Sequence, residues 1–206
     1  MARKIVVTSG KGGVGKTTVC ANLGVYLSRL GFRVVLLDVD IGLNNLDVIM
    51  GLERQVIFDI TDVVSGKCRV RQALVQDQNY PSLYLLPSSH TYSSSKITGE
   101  HIKNIIDIID HSFDYILIDC PAGVENGFHR AVYPANEALI VVTPHLSSIR
   151  DADKVVGLLS EYNIERKRLI INRMRGDLLL SGEMMNIESI VKAMGIPLLG
   201  VIPEDD

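Results

Sequence analysis

Several residue types that stabilise specialised proteins are scarce in this sequence. It contains no tryptophan, four phenylalanines, five histidines and three cysteines in 206 residues. The cysteines (Cys20, Cys68 and Cys120) are odd in number and lack metal-type spacing, and the histidines are scattered along the chain. This pattern argues against a disulfide framework and against a zinc site, and it favours reduced thiols in a cytoplasmic protein.

Long hydrophobic runs are also missing. No apolar stretch approaches the roughly 20 residues that a membrane-spanning helix needs. The first residues, Met1-Ala2-Arg3-Lys4, lead directly into a short apolar run and do not resemble a signal peptide. We therefore expect a soluble protein.

No charge of one sign dominates the chain. Lysine and arginine number 21 against 24 aspartates and glutamates, which gives a net charge of −3. This balance offers no electrostatic argument for nucleic acid as the main partner. The basic run Arg166-Lys167-Arg168, with Arg173 and Arg175 further on, is either a phosphate-binding patch or the solvated edge of a strand, and the second interpretation is favoured.

Apolar residues, in contrast, make up 47% of the chain and occur in short runs that alternate with helical patterns. This alternation is typical of βα units and a mostly parallel sheet. The runs are almost continuously apolar, as expected when helices cover both faces of the sheet. The predicted strands are Lys4–Thr8, Arg33–Asp38, Leu83–Leu86, Tyr115–Asp119, Ala138–Thr143, Arg168–Asn172 and Leu198–Ile202. The expected fold is an α/β, doubly wound sheet in one domain over residues 1–206.

Helical periodicity appears between these runs, and it predicts helices over Lys16–Leu30, Glu100–His111, Ser148–Tyr162 and Ile187–Met194. Ser148 and Asp151 have the spacing of a capping box at the start of the third helix. The long stretch 41–78 carries at most short helices, near Leu46–Met50 and Ile57–Ser65, and Ser88–Ser95 has the composition of a loop. Long loops near a ligand site are where moving parts tend to occur.

One glycine-rich segment near the start fits the phosphate-loop pattern G-x-x-x-x-G-K-[ST]. It follows the first predicted strand and opens the first predicted helix. The segment after Ser9 consists of Gly10, Lys11, Gly12, Gly13, Val14, Gly15, Lys16, Thr17 and Thr18. Glycines let several backbone N–H groups point at phosphate oxygens, and the helix N-terminus adds its partial positive charge. Lys16 is expected to reach the β- and γ-phosphates and Thr17 to ligate Mg²⁺. A glycine-rich turn without a ligand is the disfavoured alternative.

Three aspartates lie at or just beyond the ends of predicted strands, where ligands bind in a doubly wound sheet. Asp38 and Asp119 each end an apolar run, and Asp40 follows two residues after Asp38. Because carboxylates near Mg²⁺ often act through its water ligands, we assign Asp38 and Asp119 to the metal and Asp40 to the attacking water. The alternative is that aspartates are common at strand ends for conformational reasons alone.

Pro121-Ala122-Gly123 follows the strand that ends in Asp119. Two interpretations of Gly123 are equally good: its N–H contacts the γ-phosphate, or glycine merely permits the turn. The first interpretation makes the segment Val124–Arg130 a candidate switch, because such a contact exists only before hydrolysis.

With Lys11 placed directly after its first glycine, the loop resembles the deviant Walker A motif of the ParA/MinD class of P-loop ATPases. Within that class the chain is similar, nearly from end to end, to the MinD family of septum-site-determining ATPases. The segments that carry this resemblance are 38–43, 45–47, 119–125, 147–153 and 200–205, which include Ile-Gly-Leu-x-Asn-Leu-Asp and Pro-Ala-Gly-Val-Glu.

The resemblance implies a Mg²⁺-dependent ATPase that binds ATP or ADP and forms a homodimer with ATP. Lys11 is then expected to reach the partner's nucleotide, the alternative being a solvated loop cation. Asn172 and the segment Pro203, Glu204 and Asp205 match residues that recognise adenine in the family. A MinC-type inhibitor is the implied partner of the dimer, and a MinE-type activator is implied to stimulate hydrolysis.

The sequence departs from the family at three places. Asn44 stands where the family usually has arginine, and His145 stands where it usually has glutamate. Relatives also continue beyond the position of Asp206 and finish with an amphipathic membrane-targeting helix, so these residues do not predict membrane attachment. The competing hypotheses are a ParA-like ATPase for DNA segregation and a flagellar-number regulator.

Overall fold

The computed structural model describes residues 1–42, 45–89 and 97–205. Its centre is an eight-stranded sheet. The strands are β1 (Arg3–Thr8), β2 (Val34–Asp38), β3 (Val75–Gln76), β4 (Leu83–Leu86), β5 (Tyr115–Asp119), β6 (Glu137–Val142), β7 (Arg166–Met174) and β8 (Leu198–Pro203). They lie in the order β3-β4-β2-β5-β1-β6-β7-β8, and all neighbours are parallel except β3 and β4.

Helices cover both faces of this sheet. They are α1 (Lys16–Arg29), α2 (Leu46–Met50), α3 (Ile60–Val64), α4 (Val70–Ala73), α5 (Gly99–Ile109), α6 (Asn126–Val132), α7 (Leu146–Glu161), α8 (Gly176–Ser181) and α9 (Ile187–Met194), with 3₁₀ turns at Glu53–Gln55 and Asp110–Ser112. Alternate residues of a strand point to opposite faces, so Ile116 and Ile118 of β5 join the core under α5, α6, α7 and α9. Leu117 joins the second core, under α1 and α2. The predicted fold class is therefore confirmed.

The sheet order determines where a ligand can bind. β1 lies between β5 and β6, and the chain leaves its carboxyl end through the glycine-rich loop into α1. Connections on the two sides of β1 run to opposite halves of the sheet, which opens a crevice at the carboxyl ends of the strands. Asp38 and Asp119 are the last residues of β2 and β5, as predicted, and so they lie at this edge.

Most predicted elements are found within two residues of their expected bounds, and α9 matches its prediction at both ends. The short elements β3, α4, α6 and α8 were not predicted, because two to seven residues carry too little periodicity to detect.

The predicted capping box at Ser148 is wrong. Helix α7 begins at Leu146 with His145 as its N-cap, so Ser148 lies inside the first turn. Its Oγ accepts a hydrogen bond of 3.1 Å from the backbone N–H of Thr143, just beyond the end of β6. The side chain therefore satisfies a donor at the exit of the strand and caps nothing in its own helix.

Some predictions concern residues that lie outside the described part of the chain. These are the departure at Asn44, most of the loop predicted over 88–95, and Asp206. Within residues 1–42, 45–89 and 97–205, no helix combines the length and the hydrophobicity that crossing a membrane requires.

Candidate nucleotide and magnesium site

The glycine-rich loop bends where only glycine fits. Gly13 and Gly15 have φ values of 76° and 95°, in the left-handed region. Gly15 is the N-cap of α1, and a Cβ at this position would lie 2.4 Å from Nδ2 of Asn172. Both the backbone conformation and the available space therefore exclude a side chain at Gly15.

The first glycine of the loop is required for close packing. A Cβ on Gly10 would lie 2.1 Å from the carbonyl carbon of Asp151 and 2.4 Å from the nitrogen of Ala152. The loop therefore rests directly on the backbone of α7, which fixes its height above the sheet. Gly12 is under less constraint, since its Cβ would make an ordinary contact of 3.7 Å with Ala122.

Asn172 holds the loop from the side of β7. Its Nδ2 donates a hydrogen bond of 2.8 Å to the carbonyl of Val14. The pairing of β7 with β8 is irregular between Ile171 and Met174, and Arg173 has a φ of 58°. This local distortion accompanies the position of Asn172 beside the loop.

The other residues expected to recognise adenine lie close to Asn172. Pro203, the last residue of β8, pairs with Met174, and Glu204 donates its N–H to the carbonyl of Met174 at 3.1 Å. The carboxylate of Glu204 lies 3.8 Å from the guanidinium of Arg173. The structure thus brings Asn172 and the Pro203–Asp205 segment to one side of the loop, as a shared role would require.

Lys16 and Thr17 lie at the start of α1, close to the strand-end carboxylates. The side chain of Lys16 is buried, with 7% of the residue exposed. Burial raises the pKa of both Asp40 and Asp119, and the positive charge of Lys16 opposes this rise at each; at Asp119 a hydrogen bond from the Thr17 hydroxyl opposes it as well. The lysine, the hydroxyl and the carboxylates therefore form one electrostatic cluster.

Asp38 and Asp119 are register partners on β2 and β5, and both are buried. Burial, together with the charge of Asp119, raises the pKa of Asp38 to about 8. Burial also raises the pKa of Asp119 to about 6, and one of its oxygens, Oδ1, accepts no hydrogen bond from any of the described residues. Two buried carboxylates that disfavour their own ionisation, one with an unpartnered oxygen, are what a cation would relieve.

This donor set fits Mg²⁺, which prefers oxygen ligands and keeps several waters. In the described part of the chain, no group of three or more His, Cys, Asp or Glu side chains could hold a metal by itself. The Thr17 hydroxyl, phosphate oxygens and water would therefore have to complete the coordination.

Asp40 lies at the outer side of this cluster. Its N–H donates to Oδ1 of Asp38 at 3.0 Å, while the other oxygen of Asp38 accepts from the N–H of Leu46 at 3.3 Å. Burial raises the pKa of Asp40, and the charges of Lys16 and Arg130 oppose that rise. Asp40 is therefore placed by the same turn that holds Asp38.

Gly123 has a φ of 86°, and a Cβ there would meet nothing within 4 Å. The backbone conformation alone therefore accounts for glycine at this position. A contact between its N–H and the γ-phosphate stays a prediction.

Lys11 is exposed at the outer rim of the loop. Its Nζ donates to the hydroxyl of Ser147 at 3.4 Å, and Ser9 Oγ donates to the carbonyl of Lys11 at 2.7 Å. Ser147 lies at the start of α7, next to Leu146, of which 57% is exposed, and His145 is exposed beside them. Lys11 is therefore exposed, beside other exposed residues at the start of α7.

The first three residues of the basic run lie away from the site, while Arg173 lies next to Asn172 and close to Glu204. Arg166, Lys167 and Arg168 form the first residues of β7, at the end opposite the crevice, and are exposed or half-buried. Their exposure is what the favoured interpretation, a solvated strand edge, predicts, and the choice between it and a phosphate-binding patch stays a prediction. Sequence reasoning missed the place of Arg130, a buried side chain on α6; its only sequence signal was an arginine among the apolar residues Phe128, Ala131 and Val132.

Comparison with known proteins points to a nucleotide-binding domain. The family model of the CobQ/CobB/MinD/ParA nucleotide binding domain matches residues 5–206. The chain is 50% identical to the septum site-determining protein MinD of Bacillus subtilis (strain 168), over all of this chain and 78% of that protein.

Solved structures of similar proteins agree in fold. The MinC:MinD cell division protein complex of Aquifex aeolicus matches with a TM-score of 0.92 and 46% identity, over 99% of this chain and 82% of that chain. The septum site-determining protein MinD of Pyrococcus horikoshii OT3, complexed with Mg-ADP, matches with a TM-score of 0.90 and 34% identity, over 100% and 82% of the two chains.

Proposed function

Because the chain belongs to the family of the CobQ/CobB/MinD/ParA nucleotide binding domain, we propose that it is an ATP-driven dimerisation switch in placing the division septum. The chain is an ATPase of the MinD type that uses ATP and Mg²⁺ and acts in cell division. We further propose that the chain forms a dimer with ATP, that a partner controls this dimer, and that each site residue has the role given below.

The observation that carries this proposal is the cluster at the end of β1. One crevice brings together the loop glycines, buried Lys16, Thr17 and the strand-end pair Asp38 and Asp119. Within the part of the chain that the structure describes, Oδ1 of Asp119 lacks a hydrogen-bond partner. These are the groups that binding of a magnesium nucleotide requires, and they come from three strands of the sheet.

Each site residue then has a distinct task. The N–H groups of Gly10–Gly15 and the ammonium of Lys16 hold the phosphates, while Asn172 and Pro203–Asp205 hold the adenine. Mg²⁺, when bound, neutralises charge on the phosphate oxygens. Thr17 would ligate it, Asp38 and Asp119 would orient its waters, and Asp40 would accept a hydrogen bond from the attacking water.

Lys11 is the residue that makes hydrolysis depend on assembly. Since its ammonium lies exposed at the rim beside Ser147, it can leave this surface contact and reach the nucleotide of a second subunit. A cation supplied in trans stabilises charge on the transferred phosphoryl group only in the dimer. Assembly and turnover are thereby coupled.

A MinC-type inhibitor is the partner supported by the similarity to the Aquifex aeolicus MinC:MinD complex. Stimulation by a MinE-type activator is our inference from the family resemblance. By the same family resemblance we propose that membrane attachment depends on an amphipathic helix beyond the position of Asp206. The net charge of −3 does not favour nucleic acid as a partner.

The proposed function is tested by measuring ATP hydrolysis by the parent protein and by Lys16→Ala, with ATP affinity measured in parallel. We expect slow turnover that needs Mg²⁺ in the parent and no nucleotide binding by Lys16→Ala. An unchanged ATP affinity in Lys16→Ala would falsify the assignment of the loop as the phosphate site. ATP-dependent, salt-sensitive binding to DNA would instead favour the ParA-like hypothesis.

A further inference from the structure

Helix α6 begins three residues after Gly123, and it carries a buried arginine. Only 9% of Arg130 is exposed. Its Nη2 donates to the carbonyl of Val39 at 3.3 Å, and its Nη1 donates to the carbonyl of Ile97 at 3.4 Å. Val39 lies just beyond β2, and Ile97 lies just before α5, so one side chain links three separate segments.

The bond to Val39 is the informative one. Val39 stands between Asp38 and Asp40, and its own N–H donates to the carbonyl of Asp119 at 3.2 Å. Two residues after Asp40, Gly42 donates its N–H to the carbonyl of Ser89 at 3.0 Å. The turn that carries Asp40 is therefore held at Val39 from two sides, by β5 through a backbone bond and by α6 through Arg130.

Packing alone does not explain a buried guanidinium at this position. Its burial costs free energy that an apolar side chain of similar length would not lose. What an apolar side chain cannot provide is a directional bond to a carbonyl on another segment. The arginine therefore gives α6 a mechanical connection to the turn 39–42.

We infer that Arg130 is a positioning residue for ATP hydrolysis: it ties the segment after Gly123 to the turn that carries Asp40. When α6 is in place, Asp40 is held at the distance that the attacking water needs; when α6 moves, Val39 and Asp40 move with it. This inference rests on the proposed role of Asp40 and adds the element that connects it to the candidate switch.

The test uses the variants R130M, R130K and D40N and the double variant R130M/D40N, with R29M as an exposed-arginine control on α1. ATP affinity and kcat are measured separately for each. We expect R130M to lower kcat by about tenfold or more, as small misplacements of a reacting group do, with ATP affinity within about threefold of the parent. R130K keeps the positive charge and one donor nitrogen, so its kcat is expected to lie between that of the parent and that of R130M.

The double variant decides whether the two residues act together. If Arg130 acts through Asp40, R130M/D40N loses no more activity than D40N alone, because the losses are not additive. If the losses in kcat of the two single variants multiply in the double variant, the role of Arg130 is overturned. A kcat of R130M within twofold of the parent, while D40N is slow, would overturn it as well. Either result would leave the proposed function intact. Full activity of D40N would overturn the role of Asp40 itself, and the inference with it.

Hydrogen exchange supplies a readout that does not depend on activity. In R130M the amides of Asp40 and Gly42 are expected to exchange faster than in the parent, while amides in the centre of β5 are unchanged. Unchanged exchange at Asp40 and Gly42 contradicts the inference. Should R130M not fold, R130K and R130Q carry the same comparison.

Discussion

At the scale of single residues, Asp38 and Asp119 are two carboxyl groups whose ionisation is unfavourable in the nucleotide-free protein. They are neighbours in the register of β2 and β5 and are both buried. The pKa of Asp38 is raised to about 8 and that of Asp119 to about 6. A cation bound between the two carboxylates would offset the unfavourable free energy of ionising them in a buried place. The arrangement that destabilises the nucleotide-free protein therefore favours binding of the cation.

The sign of the resulting pH dependence follows from these shifts. Both pKa values are higher in the folded than in the unfolded protein, so between about pH 4 and pH 8 the folded protein binds more protons. The free energy of unfolding of the nucleotide-free protein should therefore fall as pH rises from 5.5 to 8, by up to about 1.4 kcal/mol per pH unit for each group. Denaturant unfolding with a chelator present measures it.

Asp38→Asn is the matched variant for this pH dependence. It should remove most of the fall above pH 6, because Asp38 has the higher pKa of the pair. Magnesium and ATP should weaken the pH dependence of the stability of the parent, because a bound cation favours the ionised form of both carboxylates. A parent protein equally stable at pH 5.5 and pH 8 would contradict the electrostatic account.

Two glycines provide a second pair of variants with opposite expectations. Gly15→Ala adds a Cβ at a φ of 95°, 2.4 Å from Asn172 Nδ2, whereas Gly157 lies exposed in α7 with open space around it. We expect Gly15→Ala to lower stability by about 1 kcal/mol or more and to lose ATP binding. Gly157→Ala should stabilise by about 0.5–1 kcal/mol. Thermal unfolding and ATP titration check both, and a stable, ATP-binding Gly15→Ala would refute the reasoning.

At the scale of elements, α7 is tied to the strand before it by one buried hydroxyl. Ser148 Oγ accepts from the N–H of Thr143, and both residues are buried. Ser148→Ala leaves that N–H without its partner, so we expect a loss of about 1–2 kcal/mol in the free energy of unfolding. Ser147→Ala, one residue away and exposed, should change stability little. Equal stability of the two variants would argue against the hydrogen bond.

The sequence predicted the elements that bury long apolar runs and missed those decided by tertiary contacts. Strands such as β5 and the stripe of α5 follow from periodicity, because their burial repeats at a fixed interval. The two residues of β3 carry no such interval. Ser148 was misassigned because the residue spacing of a capping box does not reveal that the helix begins two residues earlier.

The site divides in the same way. Phosphate-loop residues and strand-end carboxylates were predicted, because the loop pattern and the ends of apolar runs are local in sequence. Arg130 was not, since its partners Val39 and Ile97 lie 91 and 33 residues away. Contacts of that kind exist only once the sheet order places α6 beside the turn after β2.

At the scale of the whole molecule, the proposed function requires a site that two subunits complete. The phosphate loop lies at the crevice beside β1, and its Lys11 projects from the rim towards Ser147, on an outward surface. The MinD relatives are similar over the whole of this chain. A dimerisation switch therefore differs from a simple nucleotide-binding protein in whether Lys11 reaches the nucleotide of a second subunit.

The most direct test is the mass of the protein in solution, with ATP and Mg²⁺, for the parent, Lys11→Ala and the control Lys103→Ala. Lys103 is an exposed lysine on α5 with a surface partner of its own. We expect the parent and Lys103→Ala to form dimers with ATP, and Lys11→Ala to bind ATP with similar affinity yet remain monomeric. A Lys11→Ala protein that dimerises and hydrolyses ATP like the parent would contradict the shared site.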